Sequence, residues 1–460
     1  MKIGNNGLLG LFAALLLAFT TCKPHEVPNV EDYVVIGGGL MGSATAWNLA
    51  NRGKKVILLE KQGETYTEGS SLGKARIARS SNRGNDLWSY LHNLSVAEVK
   101  LLISYLNDLE NGVVYEMDDI YTTSAVTYVG RMTIYDKLLA SLIRQRVEYK
   151  MATTQDEAAL YFDMNLPDSV LIQREYNEYS GTINPEKLIE YTHAAIRSKK
   201  GEVRYSQKVT QLTKADDGTF VIGVETNAKK NDYVIHARNV VSAAGPYTGR
   251  LLKDVVPYFD TLIHPQRVFL AFLKITDDRY LQLSEEQKNK IFESYPVINS
   301  STGTRKGSFF SMIEYLDEDA HPVIKIGGHF QRSNIDDLDQ VWNKKLTKEE
   351  LTWCIENTTR YFDMMKIPLD QKDIEVVDQY SCVYSLTDTE VPFVTHGMNQ
   401  NGGKDNNLMI LGGMSGVGGK GAMAYGKIAA DMLLGTTEND SMYQIAVTEL
   451  GYERLLGDLK

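Results

Sequence analysis

The chain has 460 residues, which is enough for roughly two or three domains. With 43% hydrophobic and 23% charged residues, its composition is that of a folded protein and excludes global disorder. A net charge of −10 without a basic run argues against a nucleic-acid partner, and three scattered cysteines (Cys22, Cys354 and Cys382) form neither a disulfide framework nor a metal site. A soluble enzyme or a binding protein remains.

The first 22 residues are predicted to be a signal peptide of the lipoprotein type. Lys2 precedes an apolar stretch, residues 8–19, which is too short to span a bilayer but has the length of a signal-peptide core. Cys22 follows directly, as in a bacterial lipoprotein whose mature chain begins with a lipidated cysteine. We expect an exported protein, lipid-anchored to the periplasmic or surface side of the cell envelope, with residues 23–31 as a tether. The alternative is an uncleaved N-terminal anchor.

A strand, a glycine-rich loop and a helix follow one another from residue 33 to about residue 52. The loop has the G-x-G-x-x-G pattern of Gly37, Gly39 and Gly42, in which the glycines allow a tight turn and a close approach to a pyrophosphate. Glu60 ends the next apolar strand, where an acid can bind the ribose of an adenosine. This order predicts a dinucleotide site for FAD or NAD, and the acid argues against NADP.

Two later segments favour FAD. Residues 239–245 form an apolar strand that ends in small residues, the kind of segment that lies under an FAD adenosine. Residues 408–413 predict a second buried strand, which leads into a glycine-rich loop at residues 416–420 and a helix from about Ala422 to Leu434. That loop either directs a helix N-terminus at the cofactor or is a flexible turn.

Five motifs occur in a fixed order between residues 32 and 440. They are Ser70–Arg79 (SSLGKARIAR), Asn184–Leu188, Lys325–His329, Cys382–Thr387 and Gly416–Lys420. In type and order they resemble those of the glycine/D-amino-acid oxidase (DAO) family of flavoproteins. Within that family they are similar to the branch that contains monomeric sarcosine oxidase, N-methyltryptophan oxidase and pipecolate oxidase.

The resemblance implies roles for individual residues. Cys382 would carry FAD covalently through a thioether to the 8α carbon of the flavin. Arg76 would lie against the flavin ring, and Lys325 on the other side would promote reaction with oxygen, because a fixed positive charge stabilises the developing anion. Arg79 and Lys420 would bind the substrate carboxylate.

Two further candidates and the full cofactor set complete the predicted site. Tyr384 lies two residues past Cys382, on the same strand face, and is predicted to contact the substrate. His329 is a further catalytic candidate, with a structural histidine as the alternative. The predicted cofactor-binding residues are Gly37, Gly39, Met41, Gly42, Glu60, Lys61, Ser70, Ser71, Arg76, Val209, Ala244, Gly245, Cys382, Gly416, Gly418, Gly419 and Lys420.

Each charged or thiol residue also has a structural interpretation. Cys382 could be a small core hydrophobe, and Lys325 could be an outward, solvated strand lysine. Arg76 and Arg79 could be surface charges on a helix. Cys354 is predicted to belong to the core.

The chain departs from the pattern of the branch at several positions. Leu72 and Val417 stand where the branch has histidines, and Lys74-Ala75 replaces its Asp-Thr; Ser385 and Thr389 stand where it has Thr and Asp. The loss of both histidines predicts a less polar pocket near the amine, and therefore a bulkier or more apolar substituent than that of sarcosine.

The motif order predicts a mixed α/β fold, with a Rossmann-like FAD-binding domain interleaved with a substrate domain built on an antiparallel sheet. The FAD-binding domain would comprise residues 30–115, 180–252 and 388–445, and the substrate domain residues 116–179 and 253–387. Strands of the antiparallel sheet that covers the flavin are predicted at residues 124–133, 323–327 and 374–383, and a helix is predicted at residues 346–365.

The expected function is FAD-dependent oxidation of the C–N bond of an amino acid, an N-methyl or other secondary amine, to an imine. Oxygen would accept the electrons and give hydrogen peroxide, and the chain is expected to be a monomer. One alternative is an amino-acid or 2-hydroxy-acid dehydrogenase that uses a quinone or another acceptor. A second, from another class, is a flavin-binding surface protein without turnover.

Overall fold

The computed structural model describes residues 29–81, 86–109, 112–226, 233–335, 337–399 and 401–459. The predicted signal peptide, Cys22 and most of the predicted tether lie outside these residues. Within the described part of the chain, no helix has both the length and the apolar character needed to cross a bilayer.

The described residues form strands and helices along the whole length from Val30 to Asp458, and several strands follow one another directly. The strands are β1 Val30–Ile36, β2 Val56–Leu59, β3 Arg76–Ala78, β4 Tyr121–Thr123, β5 Val126–Arg131, β6 Tyr149–Ala152, β7 Val170–Glu175, β8 Gly181–Ile183, β9 Glu202–Arg204, β10 Gln207–Lys214, β11 Phe220–Thr226, β12 Tyr233–Ser242, β13 His264–Ile275, β14 Val297–Ser300, β15 Phe309–Leu316, β16 Pro322–Gly328, β17 Ser333–Asn334, β18 Ile374–Leu386, β19 Phe393–Met398 and β20 Lys404–Gly412. The helices are α1 Leu40–Asn51, α2 Asp86–Asn107, α3 Met117–Ile120, α4 Tyr135–Arg144, α5 Gln155–Phe162, α6 Pro185–Ser198, α7 Thr248–Leu252, α8 Phe259–Leu262, α9 Asp277–Leu281, α10 Glu285–Ser294, α11 Lys348–Met364, α12 Ala422–Leu434, α13 Ser441–Leu450 and α14 Tyr452–Asp458.

The first sheet has a parallel centre that positions the dinucleotide loop. Its order is β10-β11-β12-β1-β2-β9, and β20 pairs with β12 and β19 with β20. β1 runs parallel to both β12 and β2. Val56 and Leu58 face a core shared with α1, α6 and α12, whereas Ile57 and Leu59 face a second core shared with α7 and α8. Burial of both faces explains why β2 is an uninterrupted apolar run.

The second sheet carries the wall opposite the dinucleotide loop. Its order is β17-β13-β16-β15-β14-β5-β7-β6, with β18 paired along the other edge of β13. All pairs are antiparallel except β14 with β5. Along β13, Phe269 and Ala271 pack in the core with α11, while Val268 and Leu270 face the other way beside Cys382. The predicted strands at residues 124–133, 323–327 and 374–383 are confirmed as β5, β16 and β18.

A small third sheet, β3-β8-β4, contains Arg76 as the first residue of β3. β8 leads into α6, where the Asn184 side chain accepts a hydrogen bond from the Lys187 backbone N–H at 3.2 Å and Pro185 occupies the first turn. This cap accounts for the Asn-Pro start of the second motif.

The predicted mixed α/β class is confirmed, as is the helix now defined as α11. Cys354 on α11 is fully buried in the core of the second sheet, as predicted. The boundaries of the two predicted domains remain a prediction.

Candidate active site

The loop after β1 has the backbone geometry of a dinucleotide site. Gly37 has φ +100°, and a Cβ built on it would lie 2.5 Å from the Ala243 carbonyl oxygen. A Cβ on Gly42 would lie 1.8 Å from the Gly37 carbonyl oxygen. Only glycine fits at these two positions, so the loop packs tightly against β12 and directs the N-terminus of α1 toward the bound group.

Glu60 stands beside this loop at the end of β2. Its Oε2 accepts a hydrogen bond from the Gly38 N–H at 2.7 Å, and its Oε1 accepts one from the Gln62 N–H at 2.8 Å. Burial raises the pKa of Glu60, and the two backbone donors oppose that shift. The carboxylate is therefore fixed at the edge of the loop, where an adenosine ribose would meet it.

One continuous cavity of about 1040 Å³ lies between the dinucleotide loop and the second sheet. This volume is at the upper end of the range for cofactor and ligand sites, roughly 300–1,000 Å³. The predicted site residues that line it are Gly37, Gly39, Met41, Glu60, Lys61, Ser70, Ser71, Arg76, Val209, Ala244, Gly245, Lys325, Cys382, Tyr384, Gly416, Gly418 and Gly419. The glycine cradle, the buried acid and the size of the cavity fit FAD.

Ser70 and Ser71 connect the two sides of the cavity. The Ser70 hydroxyl donates to the Val383 carbonyl at 2.8 Å, next to Cys382. The Ser71 hydroxyl accepts from the Leu40 N–H at 3.2 Å, at the start of α1. The first family motif is therefore a link between the helix that would face the phosphates and the strand that carries the predicted flavin attachment site.

Cys382 lies in the cavity wall, within the apolar face of the second sheet. It is 6% exposed and stands opposite Val268 in the β13–β18 pair. Burial raises the pKa of the Cys382 thiol, and the charges of Arg76 and Lys325 oppose that shift. Cys382 is therefore a buried thiol in the cavity wall beside two basic side chains, and its net pKa is raised by burial.

Arg76 is the first residue of β3, which corrects the alternative of a surface charge on a helix. Its Nη1 donates to the Ala75 carbonyl at 2.8 Å, and its Nη2 donates to the Leu72 carbonyl. The guanidinium is held by its own loop and lines the cavity close to Gly419, whose Cβ position is 3.4 Å from the Arg76 Cβ.

Lys325 is 1% exposed and lines the same cavity, so the alternative of a solvated strand lysine is wrong. Its Nζ donates to the Ala75 carbonyl and to the Glu314 carboxylate. Burial, and second the nearby charge of Arg76, lower the pKa of Lys325 to about 7, although Glu314 opposes the shift. Lys325, Arg76 and Cys382 therefore lie together.

Arg79 and Lys420 are half-buried and do not line the cavity wall. The N–H groups of Ser80 and Ser81, directly after Arg79, donate to Glu175 at 2.5 and 2.8 Å. Lys420 lies in a short 3-10 turn, Gly419–Gly421, before α12.

The buried His92 on α2 lies near Glu175 and Lys420. Burial lowers its pKa, with Glu175 opposing the shift and Lys420 reinforcing it. The segments that carry the two predicted carboxylate-binding cations, Arg79 and Lys420, therefore both approach His92.

Tyr384 lines the cavity on the same face as Cys382, as predicted from their spacing. A Cβ on Gly416 would lie 3.1 Å from its ring, so the last glycine-rich loop packs directly on this tyrosine. His329 does not line the cavity; its ring lies 5.8 Å from that of Tyr384, at 79°. Burial, and then the charge of Arg332, lower the pKa of His329, so it is a neutral neighbour of Tyr384.

Of the positions that depart from the family pattern, Ser385 lines the cavity, whereas Leu72, Lys74 and Val417 do not. Val417 is half-buried and does not line the cavity, and Lys74 is exposed with its ammonium 5.5 Å over the ring of Tyr315. Leu72 contributes a backbone carbonyl to Arg76 rather than a polar side chain.

Several residues in the cavity wall or in contact with it were not predicted. Glu314 is buried and hydrogen-bonded to Lys325, and the only signal for it in the sequence is an acid inside an apolar strand segment. Phe310, Tyr247 and Trp342 line the cavity, and the Trp342 Nε1 donates to the Tyr247 hydroxyl at 2.8 Å. Aromatic residues are common in core strands, so nothing local distinguished these.

The family comparison agrees with this arrangement. The family model described as DAO, FAD dependent oxidoreductase, matches residues 32–432. The chain is 23% identical over 406 residues to a probable sarcosine oxidase of Arabidopsis thaliana, which covers 88% of each protein. It is 25% identical over 241 residues to the peroxisomal sarcosine oxidase of Homo sapiens, covering 49% of this chain and 53% of that relative. The chain therefore spans most of the plant relative but only about half of the human one.

A dehydrogenase is also among the relatives. Over 257 residues the chain is 26% identical to the aerobic glycerol-3-phosphate dehydrogenase of Bacillus subtilis, covering 52% of this chain and 43% of that one.

Solved structures share the fold. NikD, described as an unusual amino acid oxidase essential for nikkomycin biosynthesis, superposes with a TM-score of 0.68 at 18% identity, covering 92% of this chain and 97% of that one. The glycine oxidase from Bacillus cereus ATCC 14579 gives a TM-score of 0.60 at 18% identity, covering 92% and 99%. The predicted fold is confirmed.

Proposed function

Because the chain belongs to the DAO family of FAD-dependent oxidoreductases, we propose that it oxidises the C–N bond of an amino acid to an imine. The proposed substrate class is an N-methyl or other secondary amine, and the proposed electron acceptor is oxygen, which gives hydrogen peroxide. The observation that carries the proposal is the single cavity that joins the dinucleotide loop to Arg76, Lys325 and Cys382. The sarcosine oxidase relatives support the choice of a C–N bond.

The residues of the chain would bind and orient the substrate. FAD, when bound, supplies the two-electron chemistry of the oxidation. Arg79 and Lys420 do not line the cavity wall, so their proposed role, binding the carboxylate as a planar fork and a point charge, rests on the family resemblance. Tyr384 forms an aromatic wall of the cavity. Lys325, in its protonated form, contributes a positive charge that stabilises negative charge as it develops on oxygen.

A dehydrogenase that delivers electrons to a quinone is the second candidate, supported by the bacterial dehydrogenase relative. The variant Lys325→Met separates the two. In an oxidase this variant slows reoxidation of the flavin by oxygen, while reduction of the flavin by the substrate continues at the wild-type rate. In a quinone-linked enzyme it changes neither reduction by the substrate nor reoxidation by the quinone. The matched control is Lys348→Met, which replaces an exposed lysine at the start of α11.

Covalent attachment of FAD through Cys382 is part of the proposal. Its support is the position of the buried thiol in the wall of the cavity beside Arg76 and Lys325, whose charges oppose the rise in the thiol pKa that burial causes. Acid precipitation tests it: yellow flavin stays with the wild-type pellet and with Cys354→Ala, and passes to the supernatant in Cys382→Ser. Flavin that leaves the wild-type pellet contradicts covalent attachment but not the family.

Export and lipidation at Cys22 are proposed from the sequence of the first 22 residues. A lipid-anchored chain partitions into the detergent phase of Triton X-114 and incorporates labelled fatty acid, and Cys22→Ser does neither. Detergent partition that survives Cys22→Ser instead indicates an uncleaved apolar anchor.

The substrate proposal is tested by a peroxide-coupled screen. The purified chain is given N-methylated amino acids with small and with bulky apolar side chains, together with the matching primary amino acids. We expect peroxide with the secondary amines. A chain that retains FAD but gives no peroxide and no flavin reduction with any amine contradicts the proposed substrate class.

The proposed monomer is tested on the same preparation by light scattering.

A further inference from the structure

A buried ion pair joins Lys325, which lines the cavity, to Glu314, which does not. Lys325 donates to one oxygen of Glu314 and to the Ala75 carbonyl. The side chains of Lys325 and Glu314 are 1% and 3% exposed. They stand on the adjacent antiparallel strands β16 and β15, where Lys325 is opposite Met312 and Glu314 is its diagonal neighbour.

The second oxygen of Glu314 holds the loop before Arg76. Oε1 accepts a hydrogen bond from the Lys74 backbone N–H at 2.6 Å. Gly73 has φ +109°, and a Cβ there would lie 2.8 Å from this oxygen and 3.1 Å from the Arg76 Nη1. Glycine at this motif position therefore allows the carboxylate to approach the loop, and one acid connects the strand of Lys325 to the segment of Arg76.

Burial makes Lys325 dependent on this acid. An ammonium removed from water is stable only when it is paired and hydrogen-bonded. Of the charged and titratable groups that face Lys325, Arg76 on β3 disfavours its protonated form, whereas Glu314 on β15 and Cys382 on β18 favour it. Tyr380 and Tyr315 face Glu314, and burial raises the pKa of both, so they are neutral.

We propose that Glu314 is a positioning residue, whose carboxylate keeps Lys325 protonated and holds its ammonium in the cavity wall. The inference deepens the proposed function and rests on it, because the charge of Lys325 matters for turnover only if oxygen accepts the electrons. Glu314 itself touches neither the substrate nor the reacting atoms; it acts through Lys325.

The test compares Glu314→Gln with the exposed control Glu318→Gln on the same hairpin, each in the wild-type and Lys325→Met backgrounds. The reaction of substrate-reduced enzyme with oxygen is followed by stopped flow across pH. Each unit by which the loss of Glu314 lowers the pKa of Lys325 lowers the rate about tenfold at about pH 8, and less in acid. In the Lys325→Met background, Glu314→Gln does not lower the rate of the oxygen reaction any further.

Thermal unfolding of the same variants across pH is independent of oxygen. A lysine whose pKa is lower in the folded state destabilises the fold most in acid, because the unfolded chain then binds the proton more tightly. Glu314→Gln therefore has its largest Tm deficit in acid, and the deficit shrinks as pH rises. The rate deficit changes in the opposite direction, a combination that a purely structural role does not produce.

The outcomes distinguish the proposal that oxygen is the electron acceptor from the proposal that Glu314 positions Lys325. A wild-type enzyme that is inert to oxygen refutes the proposed acceptor, and the Tm profile still decides the role of Glu314. A loss of rate that is equal at every pH, or that persists in the Lys325→Met background, overturns the inference. If Glu314→Gln does not fold, we expect the double variant with Lys325→Met to fold, because no unpaired ammonium remains. Failure of both variants to fold also overturns it.

Discussion

Gly42→Ala is the sharpest test of the dinucleotide loop. The added Cβ would lie 1.8 Å from the Gly37 carbonyl oxygen, where Cβ contacts under 3.0 Å essentially do not occur, and 3.3 Å from the Ala243 Cβ. Both neighbours belong to the tightly packed junction of the loop with β12, so the loop itself must move. Overpacking of this kind costs about 1–3 kcal/mol of the free energy of unfolding.

The assay measures both the Tm and the ratio of FAD to protein. A loss of 1 kcal/mol lowers the Tm of a domain of 150–250 residues by about 2–4 °C, so we expect a fall on the order of 5 °C. We also expect a greatly reduced FAD content, because the displaced loop no longer presents the N-terminus of α1 to the phosphates. Gly457→Ala is the control, since a Cβ on Gly457 in α14 meets nothing within 4 Å. A Gly42→Ala protein that matches Gly457→Ala in Tm and FAD content refutes the reasoning.

Three further predictions concern separate parts of the molecule. Cys382→Ser retains FAD through the loop but loses it slowly on dialysis, measured as the flavin ratio over time; complete retention contradicts a role for the thiol. Lys420→Met raises the KM for amino acids at least about tenfold and leaves amines without a carboxylate unaffected, as steady-state kinetics would show. Burial lowers the pKa of His193, which bonds Ser43 and Tyr205 at 2.8 Å each, to about 3. As pH falls, His193 is protonated in the unfolded chain before it is protonated in the folded one, so stability decreases from about pH 6.5 toward pH 3. His193→Gln therefore makes the Tm depend less on pH in this range.

Local patterns were sufficient for the elements that determine the fold. The order of strand, glycine loop, helix and acid predicted β1, α1 and Glu60, because each of its signals lies within a few residues of the structure it specifies. The helix after the second glycine-rich loop was predicted at the bounds observed for α12, and a glycine with φ +66° at residue 435 ends it. Alternation along β18 likewise placed Cys382 and Tyr384 on one face.

Contacts between distant segments could not be predicted. Glu314 is an acid in a strand that is otherwise rich in apolar residues, and only the pairing of β15 with β16 reveals that it meets Lys325. Glu175, which binds the segment after Arg79, is 95 residues away from Ser80 in sequence. A contact between side chains on paired strands, or between separate loops, produces no periodic pattern in the sequence.

The most direct test of the central claim is the visible spectrum of the purified chain during a single cycle. An N-methylated amino acid is added without oxygen, and oxygen is then readmitted. The account predicts a yellow protein whose flavin absorbance bleaches with the amine and returns with oxygen as peroxide appears. A colourless protein, or a flavin that no amine bleaches, would contradict it.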